Sequence, residues 1–338
     1  MKQSYIDIQA YPVSGLLWLT DHLFMFPFLR RLARKKTSSL EFCPGGGESP
    51  WQSDADKQQI EQDIRNGATF LTNHRDIIMD AAWLSYLLRT RYGIRPYMGI
   101  GNNLLGFHWV EFLVRFNRCF VVVRDGGPKE VLANAKHLSD YIGYLRDKQK
   151  SIWLAQREGR AKDGNDRTQL SVLKMLTLGS NDFLAAVRRL NICPVSISYE
   201  YDPCDYLKAR EMQCRRDDPA WQKAKGEDER SMKTGITGWK GRVVHRLTPS
   251  LNHWLDRHPE LVQMSRNEQI AAVAKRIDYQ IHSAYEIYNR GHEFEQYLQS
   301  RLDLIDLPNK DDEFLRDCLR MMYLNPVRNH EIALQTAP

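Results

Sequence analysis

Gly67–Asp80 reads GATFLTNHRDIIMD. An apolar run ends at Asn73, a lone histidine and two aspartates follow, and apolar residues then resume at helical spacing as far as Thr90. This is the pattern of a buried strand, a short loop and a helix. In one such unit of an α/β protein, polar residues collect at the carboxyl end of the strand.

The same alternation continues in both directions. Leu104–Phe116 and Pro128–Lys148 read as helices around a strand at CFVVV, after a further possible strand at IRPYMGI. SIWLA and CPVSISYE read as strands, with a helix at Asp182–Leu190 between them and another strand at GRVVHRL. Pro128 suits a first helical turn, where its missing N–H is not needed. Continuous apolar strands between helices predict an α/β fold. The expected architecture is a largely parallel mixed sheet flanked by helices, with an N-terminal amphipathic helix and a helical C-terminal region. Three regions are expected: an N-terminal segment 1–36, a main domain 58–250 and a helical extension 251–338. Residues 37–57, with CPGGGESP, read as a loop. The triple glycine lacks the Gly-Lys-Ser/Thr of a phosphate-binding loop. Residues 208–231 are highly charged and read as a solvated insertion.

With 338 residues the chain can bury a large core, and its 42% hydrophobic and 27% charged composition is that of a globular protein. Lys and Arg exceed Asp and Glu by 48 to 42. That balance suits phosphates, an acidic carrier protein or an anionic membrane surface, and is too small to argue for nucleic acid. The six cysteines form no CxxC pair and no zinc-like spacing, so no metal is expected and a reduced, cytoplasmic compartment fits. The segment VSGLLWLTDHLFMFPFLRRLARKK starts late, has no cleavage site after it and is interrupted by Asp21 and His22. It reads either as a helix lying in a membrane interface or as one packed on the protein's own core. The first alternative predicts peripheral attachment at the cytoplasmic membrane.

The residues at the strand ends carry the chemistry. His74, Arg124, Glu158 and Glu200 each fall just after a strand, where α/β sheets bind ligands. A histidine beside an aspartate is a general-base arrangement, with the carboxylate fixing the tautomer. His74 has Asp76 two positions on and Asp80 six positions on. A helix turns about 100° per residue, so neither aspartate shares a regular helical face with His74. The histidine therefore belongs in the loop before the helix. Asp76 suits the cap, and Asp80 in the first turn is favoured as the carboxylate that orients His74. The plain alternative is that Asp76 caps a helix and His74 is a polar loop residue.

Four blocks in order, NHRDIIMD, FVVVRD, AQREGRAKDG and CPVSISYE, each follow or contain a strand. In this order they resemble the glycerolipid acyltransferase family, the glycerol-3-phosphate and lysophosphatidate acyltransferases, over about residues 65–205. Two departures stand out. The histidine-to-aspartate spacing is one residue longer than the family's His-x4-Asp, and EGRAK places an arginine two rather than three residues after Glu158. The resemblance implies that His74 takes a proton from an acceptor hydroxyl, whose oxygen attacks an acyl thioester. The backbone N–H groups that follow His74 are then candidate donors to the oxyanion. It implies that Arg124 and either Arg160 or Lys162 bind an anionic headgroup. Glu158 and Gly159 complete that block, with Glu158 bonding an acceptor hydroxyl or holding Arg124. Tyr199 and Glu200 would line the acyl entrance or serve structural roles. The donor would be acyl-CoA or an acyl-carrier protein, and the acceptor lysophosphatidate, another lysolipid or glycerol phosphate, with no metal or other cofactor. The rival reading is a non-catalytic lipid- or acyl-carrier-binding module.

Overall fold

The computed structural model describes residues 25–106, 118–123, 126–288 and 291–336. Its centre is a seven-stranded sheet in the order β1-β7-β6-β2-β5-β3-β4. The strands are β1 Ser39–Pro44, β2 Thr69–Thr72, β3 Tyr97–Gly101, β4 Cys119–Val122, β5 Ile152–Ala155, β6 Ile192–Tyr199 and β7 Arg242–Leu247. Every pairing is parallel except β6 with β7. The fold is thus α/β with a mostly parallel mixed sheet, as the alternation of elements predicts.

Among the described residues there are twelve α-helices. They are α1 Phe26–Lys36, α2 Asp54–Arg65, α3 Met79–Tyr92, α4 Pro128–Asp147, α5 Leu170–Leu176, α6 Phe183–Leu190, α7 Asp205–Asp217, α8 Glu227–Thr237, α9 Leu251–Arg257, α10 Arg266–Ser283, α11 Phe294–Leu302 and α12 Asp312–Gln335. None is long and apolar enough to cross a membrane. Successive strand residues face opposite layers. Phe70 joins the apolar cluster with Ile60 and Ile64 of α2 and Trp83 and Leu84 of α3. Its neighbour Leu71 joins the cluster built from α4, α5, α6, α9 and α10. A third cluster packs α7 against α11 and α12.

Several expectations change. Residues 37–57 are not simply a loop, because Ser39–Pro44 forms an edge strand paired with β7 and α2 begins at Asp54. The sheet therefore takes in residues ahead of position 58. The charged stretch 208–231 is solvated only in part: residues 215–220 are exposed, while α7 buries Lys208, Glu211 and Gln213, and α8 buries Ser231. Asn102–Gly106 is a 3-10 turn, and the rest of the helix expected over Leu104–Phe116 lies outside the described residues. The N-terminal expectation is described only from Met25, and there the apolar stripe of α1 packs on the protein's own core, with Leu29 buried and Leu32 partly so.

Candidate functional site

β2 lies in the middle of the sheet, between β6 and β5, so the connection at residues 73–78 opens at the sheet's centre. Asn73 fixes it at once. Its side-chain amide donates to Ile197 O at 2.9 Å, and its Oδ1 accepts from Ile197 N at 2.8 Å, as a further rung between β2 and β6. The next residue, His74, is lifted out of the strand and sits edge-on to Trp153 of β5, with ring centroids 6.3 Å apart.

His74 Nδ1 lies 2.9 Å from Asp80 Oδ2. The same oxygen accepts the backbone N–H of Arg75 at 2.6 Å and of Asp76 at 3.0 Å. Asp80 Oδ1 accepts the Tyr199 hydroxyl at 2.7 Å. Asp80 is fully buried. Burial alone would raise its pKa, and the hydrogen bond and charge of His74, together with the other donors, outweigh it and hold the carboxyl below its ordinary value. This is an ionised acceptor held by four donors, and it commits His74 to one orientation. Tyr199 thus braces Asp80, the structural one of the two roles open to it. Glu200 accepts from Arg242 N at 2.7 Å, on the β7 side of the sheet.

Asp76 does a different job. Its Oδ1 accepts the backbone N–H of Ile78 and Met79, each at 2.9 Å, closing the turn that leads into α3. α3 accordingly starts at Met79, with Ile78 rather than Asp76 in the cap position. Asp76 Oδ2 has no hydrogen-bond partner among the described residues. Burial raises its pKa, opposed by the charge of Lys240 and reinforced by that of Asp80. The two aspartates are therefore not alternatives: Asp80 orients the histidine and Asp76 shapes the turn. The N–H groups of Arg75, Asp76, Ile78 and Met79 are all spent on these two carboxylates. The expectation that this turn supplies the oxyanion donors is overturned for those four.

The long connection between β5 and α5 faces His74. Glu158, Gly159, Arg160 and Lys162 line the same cavity as His74, a space of about 770 Å³. Gly159 adopts a left-handed backbone, φ 67°, which favours glycine there. The backbone N–H of Glu158 donates to Gln169 Oε1 at 2.7 Å. Arg160 is buried, and its Nη1 has no hydrogen-bond partner among the described residues, nor has Nε of Arg157, which lines the cavity too. Lys162 differs: its ammonium is bonded to the Glu211 carboxylate of α7. Of the two cations weighed for the anion-binding place, Lys162 is paired with a carboxylate, whereas one guanidinium nitrogen of Arg160 has no partner among the described residues. Arg124 lies outside the described residues.

The cavity also has apolar walls, Ile100, Leu104, Val122, Leu138, Val172 and Met175 among them. One space therefore has an imidazole, charged side chains of both signs and apolar side chains in its lining.

The sequence allowed Arg75 to be either a surface or a salt-bridged residue, and the partners that organise it escaped the reading. Arg75 is buried, paired with Asp166 at 3.1 Å and lying over the Tyr285 ring. Asp166 also accepts the Tyr285 hydroxyl at 3.2 Å, and its backbone carbonyl lies 2.6 Å from His282 Nε2. Lys208 of α7 donates to Arg75 O at 2.9 Å. The signal for Asp166 was present in KDGNDRT, a polar run directly after the EGR block, but nothing local ties it to Arg75.

No protein-family model matches this chain, and no curated protein matches it either.

Proposed function

We propose that the chain is an acyltransferase that moves a fatty acyl group from an acyl thioester to a hydroxyl of a glycerolipid precursor. One observation carries the reading: the His74–Asp80 pair opens onto a cavity whose lining combines apolar side chains with Arg157 and Arg160. That is the shape of a substrate with an acyl tail and an anionic head. The order of the four sequence blocks resembling the glycerolipid acyltransferases supports the same chemistry.

In this reading Asp80 takes the Nδ1 proton of His74 as a hydrogen bond, which leaves Nε2 as the base. Nε2 removes the proton of the acceptor hydroxyl as its oxygen attacks the thioester carbonyl. The C–S bond then breaks, and the proton held by His74 passes to the departing thiolate, so the histidine ends neutral. Arg160 and Arg157 bind the anionic headgroup, lysophosphatidate or a related lysolipid, and hold its hydroxyl near His74. The donor is acyl-CoA or an acyl-carrier protein.

Thiol release from long-chain acyl-CoA and acyl-carrier thioesters, with glycerol phosphate, lysophosphatidate and other lysolipids as acceptors, tests this. Acceptor-dependent release should fall by about two to four orders of magnitude in His74→Ala. Release that survives in a folded His74→Ala protein sinks the mechanism. Donor binding with no release in the wild type, whatever the acceptor, favours a binding module.

A further inference from the structure

α1 has two faces. Its apolar side is spent inside, with Leu29 buried and the Phe26 ring edge-on to Tyr86 at 5.5 Å. Its outer side carries Arg30, Arg31, Arg34 and Lys35, all exposed, with Phe28 49% exposed among them. The helix FPFLRRLARKK contains no carboxylate. Its end is tied to the turn before β7: Lys240 N donates to Lys36 O at 2.9 Å, and Ser38 N to Gly241 O at 2.8 Å. These bonds set Trp239, 51% exposed, beside the basic end of α1.

We propose that this face docks on an anionic lipid bilayer, with Trp239 at headgroup level and the α1 cations against lipid phosphates. The surface combines the two features an interface rewards, an amphipathic ring with one apolar and one polar side and an uninterrupted basic cluster. An acidic protein would use the cations but has no need of two bare aromatic rings. The patch also adjoins an apolar groove of about 110 Å³ between α1 and α3, with Met25 and Phe28 on its outer wall. Ile77, Ala81, Ile100 and Leu104 line both this groove and the His74 cavity. These four side chains form a wall shared by the two spaces, so the docking face lies on the far side of that wall from His74. The docking does not rest on the acyltransferase reading.

Co-sedimentation of the full chain with phosphatidylglycerol-containing vesicles, against vesicles of phosphatidylcholine alone, tests the docking. Binding to the anionic vesicles should weaken with salt, and by about fivefold for each cation reversed among Arg30→Glu, Arg31→Glu and Arg34→Glu. Trp239→Ala should weaken it several-fold, with Trp239→Phe retaining part. All four residues are exposed, so folding should survive, and melting curves check that. Equal binding to both vesicles in wild type and variants overturns the proposal. So does α1-dependent binding of an acyl-carrier protein with none to vesicles. Thiol release from a water-soluble short-chain thioester separates the two readings. It should be unchanged in the Arg30→Glu and Trp239→Ala proteins. If the wild type shows none, the acyltransferase reading fails while the vesicle result stands or falls on its own.

Discussion

The connections after β2 and after β5 both reach the cavity, and they are held in opposite ways. Residues 73–80 close largely on themselves, because Asp80 and Asp76 collect the backbone N–H groups of the turn that contains them. Residues 156–169 are held from far along the chain. Thr168 N donates to Asp278 of α10 at 2.7 Å. Asn325 and Asn329 of α12 donate to Asp163 O at 2.8 Å and to Asn165 Oδ1 at 3.1 Å. Gly164, with φ 74°, lies so close to α12 that an added Cβ would stand 2.4 Å from Met322 O. His74, the proposed base, is thus positioned mainly by its own turn, and residues 156–169 by tertiary contacts.

The largest expected effect breaks the local device. Asp80→Ala leaves four donors without an acceptor in a buried site and should cost about 3 kcal/mol or more of stability. Thiol release should fall at least about a hundredfold, read beside urea unfolding of the same protein. Asp166→Ala strikes where the two connections meet. It leaves Arg75 buried and unpaired, so a loss near 3 kcal/mol is expected, together with lower kcat, because Arg75 adjoins His74. Urea midpoints and turnover falling together would confirm that Asp166 serves both connections.

Asn325→Ala and Asn329→Ala sharpen the contrast. Each removes one hydrogen bond and should cost about 1 kcal/mol. Each should raise KM for the acceptor while kcat stays close to wild type, because the 73–80 turn is untouched. Steady-state kinetics in which kcat falls as far as KM rises would show that the two connections do not act separately.

The smallest effect separates the aspartates. Asp76→Asn keeps an oxygen for Ile78 and Met79, so thiol release should stay within about twofold. The pH dependence of stability should change instead. Asp80 is held below its ordinary 3.8, so its stabilisation is complete above that value and is lost as pH falls through the lower folded value. Asp76 is held above 3.8, so the native state takes up its proton more readily than the unfolded chain. Wild type therefore loses stability from this group as pH rises from 3.8 through the raised value. Urea midpoints across roughly pH 3 to 6 should show that loss in wild type and not in Asp76→Asn, with the Asp80 dependence kept in both.

The same contrast explains what the sequence could tell. The strand ending at Asn73, the loop histidine and the first-turn Asp80 are spaced within one short stretch, and turn geometry alone separates the roles of the two aspartates. The role of Lys162 depends on Glu211, and that of Arg75 on Asp166, partners that no spacing rule connects. β1 was hidden because SLEFCP buries only Phe42 and leads directly into the glycine run. α2 had a legible start: Ser53 accepts from Asp56 N, Asp56 in turn accepts from Ser53 N, and Ile60 and Ile64 follow at helical spacing. The proline, glycine and serine content of residues 37–57 outweighed that signal.

The hold of α12 on the β5–α5 connection also has a consequence for biosynthesis. Asn325 follows its partner Asp163 by 162 residues. At roughly 5–20 residues per second, a ribosome needs on the order of ten seconds to add that stretch. During that interval the turn at 73–80 has most of its own ligands in hand, while residues 156–169 lack their anchor. A nascent chain should therefore order the His74 turn before the 156–169 connection, and completion of the cavity should wait for α12.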